Sequence, residues 1–346
     1  MGHFIQPKTI CNSGPPLDCI DVPTPAHGYG FNRLRAGYTG NATRNYFENN
    51  GNEADIGFGG TNSDADDFDI ESWDTLAAGV DSTDMVRLAK WYDQFGSSDF
   101  VQTTAANRPL TSNPSNGQTH GQWSGGQLAV SFDGVSDYLS VVDTTLGQYD
   151  DADCTMFALG GTESGANYDF VMSAYKYGTL AGTYWGATFA HDSTVAGTTG
   201  EPTFERFQGT GWKSILGTTS NENTYGSLVT RYDHGGAVDM DMRLNDTAQG
   251  TAAFTGATTA LLPGAASPAC YSYLGRSGAN YGKIKIQMLL LWTERLTDKH
   301  LTELERLKTW AAGHRGEAVS GAEGGEGGGE GGGEGEGGGE GEGGGP

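Results

Sequence analysis

The stretch Ile284-Lys285-Ile286-Gln287-Met288-Leu289-Leu290-Leu291-Trp292 decides the fold class. Its first half alternates apolar and polar residues with the period of two that a half-buried strand requires, and its second half is apolar throughout. A strand that turns wholly apolar near its end has both faces covered, so this run predicts a strand between two layers. Just beyond it, Leu301, Leu304, Leu307 and Ala311 fall on one face at helical spacing. Thr297 can cap that segment and Gly313 can supply a left-handed C-terminal residue, which predicts a helix over 297–312.

Outward from this pair of elements the chain reads as β-structure. In Gln127-Leu128-Ala129-Val130-Ser131-Phe132-Asp133-Gly134, residues 128, 130 and 132 are apolar and alternate with small or polar ones before Asp-Gly turns the chain. Further strand-like runs lie at 138–142, 155–160, 168–175, 228–232 and 238–244, with turn signals every dozen residues or so. A chain of 346 residues accommodates one all-β domain of ~200–250 residues with appendages. We place an extended, Pro-rich N-terminal arm at 1–27, the folded body at 28–315 and a Gly/Glu tail at 316–346. Nothing in the tail can bury apolar surface, so it is expected to be solvated and disordered.

The formal charge is −23, with 43 acidic against 20 basic residues. The tail holds eight of those acids and no base, which leaves the body strongly negative as well. A surface of that sign repels phosphate backbones and argues against nucleic-acid binding. No run of apolar residues is long enough to span a bilayer, and the N-terminus lacks the charged and apolar regions of a signal peptide.

Four cysteines, Cys11, Cys19, Cys154 and Cys270, are few for a disulfide framework and are expected as thiols, although Cys11 and Cys19 could close a small loop. No cofactor is required by any motif. Asp64, Asp66 and Asp69 carry alternate carboxylates that suit calcium, the rival to a solvated acidic loop. Neither this cluster nor Asp239-Met240-Asp241 has the glycine and distal Glu of an EF-hand.

Four short blocks, Arg33-Leu34-Arg35-Ala36-Gly37-Tyr38-Thr39-Gly40, Asp55-Ile56-Gly57-Phe58, Trp91-Tyr92-Asp93-Gln94 and Phe132-Asp133-Gly134, resemble the arabinofuranosidase B catalytic-domain family. Tyr273-Leu274-Gly275 and the closing helix extend the resemblance over roughly residues 28–313. It implies a concanavalin A-like jelly-roll β-sandwich with a C-terminal helix, a fold also seen in bacteriophage virion proteins. Within the blocks, Arg33, Arg35, Asp55, Trp91, Asp93 and Asp133 are expected to hold the fold through ion pairs and strand anchors.

The family's two catalytic carboxylates do not carry over. Its nucleophile run matches Trp185-Gly186-Ala187-Thr188-Phe189-Ala190-His191-Asp192, which puts His191 at the nucleophile, and its second acid falls in the acid-free loop 275–281. A retaining glycosidase needs two carboxylates about 5–5.5 Å apart, so no catalytic residue is assigned and arabinofuranoside hydrolysis is not expected. Tyr184, Trp185, His191, Arg276, Asn280 and Tyr281 retain aromatic faces and directed polar groups for a glycan. Together with the missing export signal, this leads to the expectation of a non-catalytic virion surface protein of a bacterial virus. Such a protein decorates a head or fibre, is homo-oligomeric, and is joined to capsid or tail proteins by its arm. It contacts a host surface glycan, involves no nucleic acid or membrane, and is made in the host cytoplasm and released by lysis. The competing readings are a divergent glycoside hydrolase of arabinofuranosidase type and a cellular carbohydrate-binding module.

Overall fold

A computed structural model of the chain describes residues 14–48, 51–59, 65–77, 85–111, 128–142, 153–162, 168–176, 184–193, 198–208, 211–220, 224–233, 240–252, 270–277 and 280–313. It is an all-β sandwich in which every paired strand is antiparallel. Following the pairings from edge to edge gives two runs. The back sheet runs His27–Gly30, Ile284–Trp292, Cys154–Thr162, Gly226–Tyr232, Met240–Leu244, Thr247–Ala252. The front sheet runs Asn52–Ile56, Thr43–Phe47, Val86–Trp91, Phe100–Val101, Leu139–Val142, Cys270–Leu274, Tyr168–Lys176, Tyr184–Ser193, Thr198–Gln208, Gly211–Leu216. Short strands Leu110–Thr111 and Val130–Ser131 stitch the two sheets together along one side.

The central strand Ile284–Trp292 explains its own composition. Leu289 and Leu291 point into the core between the sheets, while Met288, Leu290 and Trp292 belong to a second apolar cluster on the outer face of the back sheet. Cys154–Thr162 splits in the same way, with Met156 and Ala158 inward and Phe157 and Leu159 outward. The closing helix Asp298–Gly313 covers that outer face with Leu301, Leu304, Leu307 and Trp310. Each large apolar side chain so buried contributes about 1.5–3 kcal/mol relative to exposure.

Three Arg and three Asp residues fix the start of this helix. Arg231 and Asp241, both nearly buried, pair at 2.8 Å, and Arg295 reaches Asp241 at 2.6 Å and Asp233 at 3.1 Å. Asp298 in the first helical turn accepts from Arg231 and Arg243, each at 2.8 Å. A carboxylate there also suits the positive end of the helix dipole.

Residues 14–27 of the expected arm pack on their own body. Ile20 joins the cluster under the closing helix, the Trp292 indole donates to Pro23 O at 2.8 Å, and Lys299 pairs with Asp21. Residues 1–13 and the tail beyond 313 lie outside the described residues. The expectation of thiols is corrected at Cys19, which is disulfide-bonded, whereas Cys154 is not. A disulfide at Cys19 restricts a segment that has little core of its own. Helix Ile70–Ala77, unmarked by the sequence pattern, begins where Asp69 accepts the Ser72 amide at 3.0 Å, and its Trp73 packs on Phe47.

Candidate functional site

Strand register sorts the front sheet into two faces. Leu139, Leu274, Met172, Ala187, Phe204 and Ile215 are successive cross-strand partners, and all are buried in the core. Partners directly opposite share a face, and neighbours along a strand alternate. The adjoining row, Ser140, Tyr273, Ser173, Gly186, Glu205 and Ser214, therefore lies on the outer face. Tyr273 and Glu205 stand three strand spacings apart, roughly 14 Å. The positions between them are Ser173, which is fully buried, and Gly186, neither of which carries a large side chain.

One wall of this trough is a small hairpin. Gly275 turns the chain with φ +72°, and a Cβ there would overlap the Phe132 ring, so only glycine fits. Arg276–Ser277 then pairs with Asn280–Tyr281, and Ser173 Oγ donates to Arg276 O at 2.7 Å, pinning the hairpin above the sheet. The Arg276 guanidinium sits 4.7 Å from the ring centroid of Tyr138, 5.2 Å from Tyr281 and 5.3 Å from Tyr273. The rings themselves are tilted to one another, Tyr138–Tyr273 at 5.9 Å and Tyr138–Tyr281 at 6.2 Å. All four side chains are partly exposed. Apolar ring faces around a fork of N–H donors form a surface that can stack on sugar C–H groups and hydrogen-bond their oxygens.

Of the residues expected at a glycan site, the structure brings Arg276 and Tyr281 together and leaves Asn280 exposed beside them. Backbone register puts Tyr184 opposite Tyr175 and Trp185 opposite Ala174, adjacent to the Gly186 floor position; their side chains lie outside the described residues. His191 pairs with Tyr168 and Glu201 at the far end of its strand, five residues from Gly186. At the usual rise this is roughly 15 Å or more from the hairpin end. Of the acidic trio, Asp64 lies outside the described residues, Asp66 pairs with Arg33 at 3.1 Å and Asp69 caps a helix through Ser72. Among the described residues no three potential metal ligands gather.

Tyr138, Tyr273 and Glu205 were not marked as site residues by the sequence pattern. Burial pushes the Glu205 carboxyl above the usual range. Four residues before it, Glu201 lies on the same side of the strand by alternation, and its buried Oε2 has no hydrogen-bond partner among the described residues. A signal for Glu205 existed in the alternation of Pro202 and Phe204 with Glu201, Thr203 and Glu205, but a Pro within the run obscured the strand.

The family blocks hold the fold. Asp93 accepts His27 Nδ1 at 2.6 Å together with the amides of Gly28, Phe95 and Ser98. Asp55 pairs with Arg44 and accepts from the Tyr92 hydroxyl, and Trp91 is fully buried. Asp133 accepts the amides of Val135, Ser136 and Asp137 at 2.8–2.9 Å. A cleft of about 520 Å³, lined by Asp18, Cys19, Ile20, Asp21, Glu303 and Arg306, lies between the arm and the closing helix, on the opposite layer from the hairpin.

By sequence the chain matches no family model and no curated protein. Among solved structures it superposes on an arabinofuranosidase complexed with arabinofuranosyl-α-1,2-xylobiose, with a TM-score of 0.55 and 13% identity over 86% of this chain. A GH54 α-L-arabinofuranosidase soaked with a cyclic sulfate inhibitor gives 0.54, again at 13% identity, over 83% of this chain. The likeness lies in the sandwich. This chain spans 64% and 63% of the length of those two proteins. The Trypanosoma rangeli sialidase superposes at 0.42 with 11% identity, covering 64% of this chain and 31% of its own. The expectation of a non-catalytic virion surface protein is corrected by the first two: the solved structures that share this sandwich are arabinofuranosidases, and the likeness is one of fold.

Proposed function

We propose that this protein is a divergent glycoside hydrolase of arabinofuranosidase type whose sugar site is the trough between the Arg276 hairpin and Glu205. The reading is carried by the front-sheet register, which sets a partly exposed arginine–tyrosine cluster and a half-buried glutamate on either side of Ser173 and Gly186. A carboxyl raised by burial keeps its proton closer to neutrality, as a general acid must. Glu205 takes that role, and Glu201 is the second carboxylate on the same face. Four residues of extended chain separate their Cα atoms by roughly 13 Å, too far for the narrow carboxyl spacing of a retaining pair, so an inverting pair requires the two side chains to lean toward each other.

The test is turnover of 4-nitrophenyl α-L-arabinofuranoside. The native protein should release nitrophenol, and Glu205→Gln should lower kcat by 10²-fold or more. Activity that survives this change intact would remove Glu205 from the reaction. A second reading, a carbohydrate-binding module without turnover, is favoured by one observation: Arg276 stands in the hairpin where the family resemblance puts a carboxylate. Binding of arabinofuranosyl-α-1,2-xylobiose with no release of nitrophenol would select it.

A further inference from the structure

The turn that precedes Tyr138 carries a buried acid that neither the fold nor the proposed reaction uses. Asp137 is 1% exposed, and its Oδ1 has no hydrogen-bond partner among the described residues. The cation facing it is Arg87, with Nη1 3.7 Å from Oδ1, beyond hydrogen-bond distance. Arg87 is committed elsewhere, to Glu48 through Nε and to Arg108 O through Nη1 at 2.8 Å. Arg108 itself pairs with Glu53. On its own turn Asp137 meets Asp133, whose Oδ1 accepts the Asp137 amide at 2.9 Å. The turn also abuts the backbone of Lys283 at Gly134, two residues after Tyr281 of the hairpin. A carboxylate at 137 is therefore taken out of water and set beside a second carboxylate, with the Asp133 amide and the loosely placed Arg87 to stabilise it among the described residues. Burial, reinforced by the Asp133 charge and opposed by Arg87 and the Asp133 amide, pushes the Asp137 carboxyl up to about 7.

We infer that Asp137 is a positioning residue for the aromatic cluster, holding Tyr138 against Arg276 while it is neutral and releasing it when it ionises. The mechanism is local. An ionised Asp137 gains by moving toward solvent or toward Arg87, and the shift passes to the covalently adjacent Tyr138, whose N–H donates to Asn107 O at 3.1 Å, whose carbonyl accepts from Gln102 Nε2 at 3.2 Å and whose ring touches Tyr273, Tyr281 and Arg276. Asp133 limits the movement to the 137 side, because its three amide bonds clamp the turn. What this regulates rests on reading the cluster as a sugar platform, whereas the coupling of Asp137 to Tyr138 does not.

The experiment follows ring resonances of ¹³C-tyrosine-labelled protein between pH 5 and 9, with Tyr138 assigned by the signal lost in Tyr138→Phe. The native Tyr138 resonance should inflect near neutrality, Asp137→Asn should abolish the inflection, and Asp133→Asn should move it to lower pH by removing the neighbouring charge. A flat native titration, or the same inflection in Asp137→Asn, overturns the inference. Should Asp137→Asn fail to fold, an inflection in Asp133→Asn at the native pH overturns it equally. In parallel, affinity for arabinofuranosyl-α-1,2-xylobiose should fall several-fold across the same range in the native protein and not in Asp137→Asn. An inflecting Tyr138 without binding at any pH refutes the sugar reading and leaves the coupling standing.

Discussion

The guanidinium of Arg276 lies 4.7 Å over the ring of Tyr138, a residue 138 positions earlier in the chain that leads into Leu139–Val142, the strand paired directly with Cys270–Leu274 before the hairpin. The two meet because the Gly275 turn folds the hairpin back over its own sheet. With Tyr273 and Tyr281 on its other sides, Arg276 holds three rings at fixed tilts, each contact worth ~0.5–1 kcal/mol at such partly exposed positions.

Replacing Arg276 with Ala should therefore loosen the platform without unfolding the sandwich. Affinity for arabinofuranosyl-α-1,2-xylobiose should drop about tenfold or more, the equivalent of ~1.4 kcal/mol. Arg276→Lys should recover little, since a compact ammonium cannot lie flat among three rings. Calorimetry on the three proteins decides it, and full affinity in Arg276→Ala would move the site elsewhere.

The closing helix is expected to be a stability element. Leu304 is fully buried against the cluster that includes Phe157, Leu290 and Trp292. Leu304→Ala should destabilise by about 2–5 kcal/mol in urea unfolding. Hydrolysis or binding at the front sheet should be unaffected, because the two faces share no described side chain. A loss below 1 kcal/mol would mean that the helix is not docked as described.

A larger penalty is expected where charge is buried. Arg231 is 7% exposed and relies on Asp241, which Arg295 also grips. Asp241→Ala should cost about 3–5 kcal/mol, because it strands a buried guanidinium. Asp298→Ala, at the exposed end of the same network, should cost less than 1 kcal/mol. Denaturation curves of the two variants that coincide would refute this ordering.

These sites differ in how far the sequence discloses them. Ile284–Trp292 and the 301/304/307 face were legible because their burial follows the period of one element. Thr198–Gln208 was not, since Glu201, Pro202 and Glu205 break the polarity expected of a strand whose outer face carries a site. Arg276 and Tyr281 could be read as neighbours because four residues separate their ends of one hairpin. Their partners Tyr138 and Tyr273 arrive through the register of Leu139–Val142 on Cys270–Leu274, a long-range pairing that no local pattern encodes. Cys19 was misjudged for a related reason: the count of cysteines carries no information about which ones meet.

The dependence of stability on pH should have two limbs of opposite sign. Burial raises the Asp93 and Asp133 carboxyls, but the His27 ring and backbone amides around Asp93, and the amides of Ser136, Asp137 and Val135 around Asp133, outweigh it and hold both below the ordinary range. Groups depressed in the folded state stabilise above their unfolded pKa, and that contribution is lost as pH falls below about 4. Asp137 works the other way. Its carboxyl moves from 3.8 to about 7 on folding, so between these values the folded chain keeps a proton that the unfolded chain has lost. Stability should then decline as pH rises through this window, by up to about 4 kcal/mol, and level off above it. Urea unfolding at pH 4.5 and pH 8 should show the native protein losing stability at the higher pH. Asp137→Asn, neutral at both, should lose markedly less and should exceed the native protein at pH 8. Equal losses in the two proteins would show that Asp137 ionises without cost and that its burial has been misread.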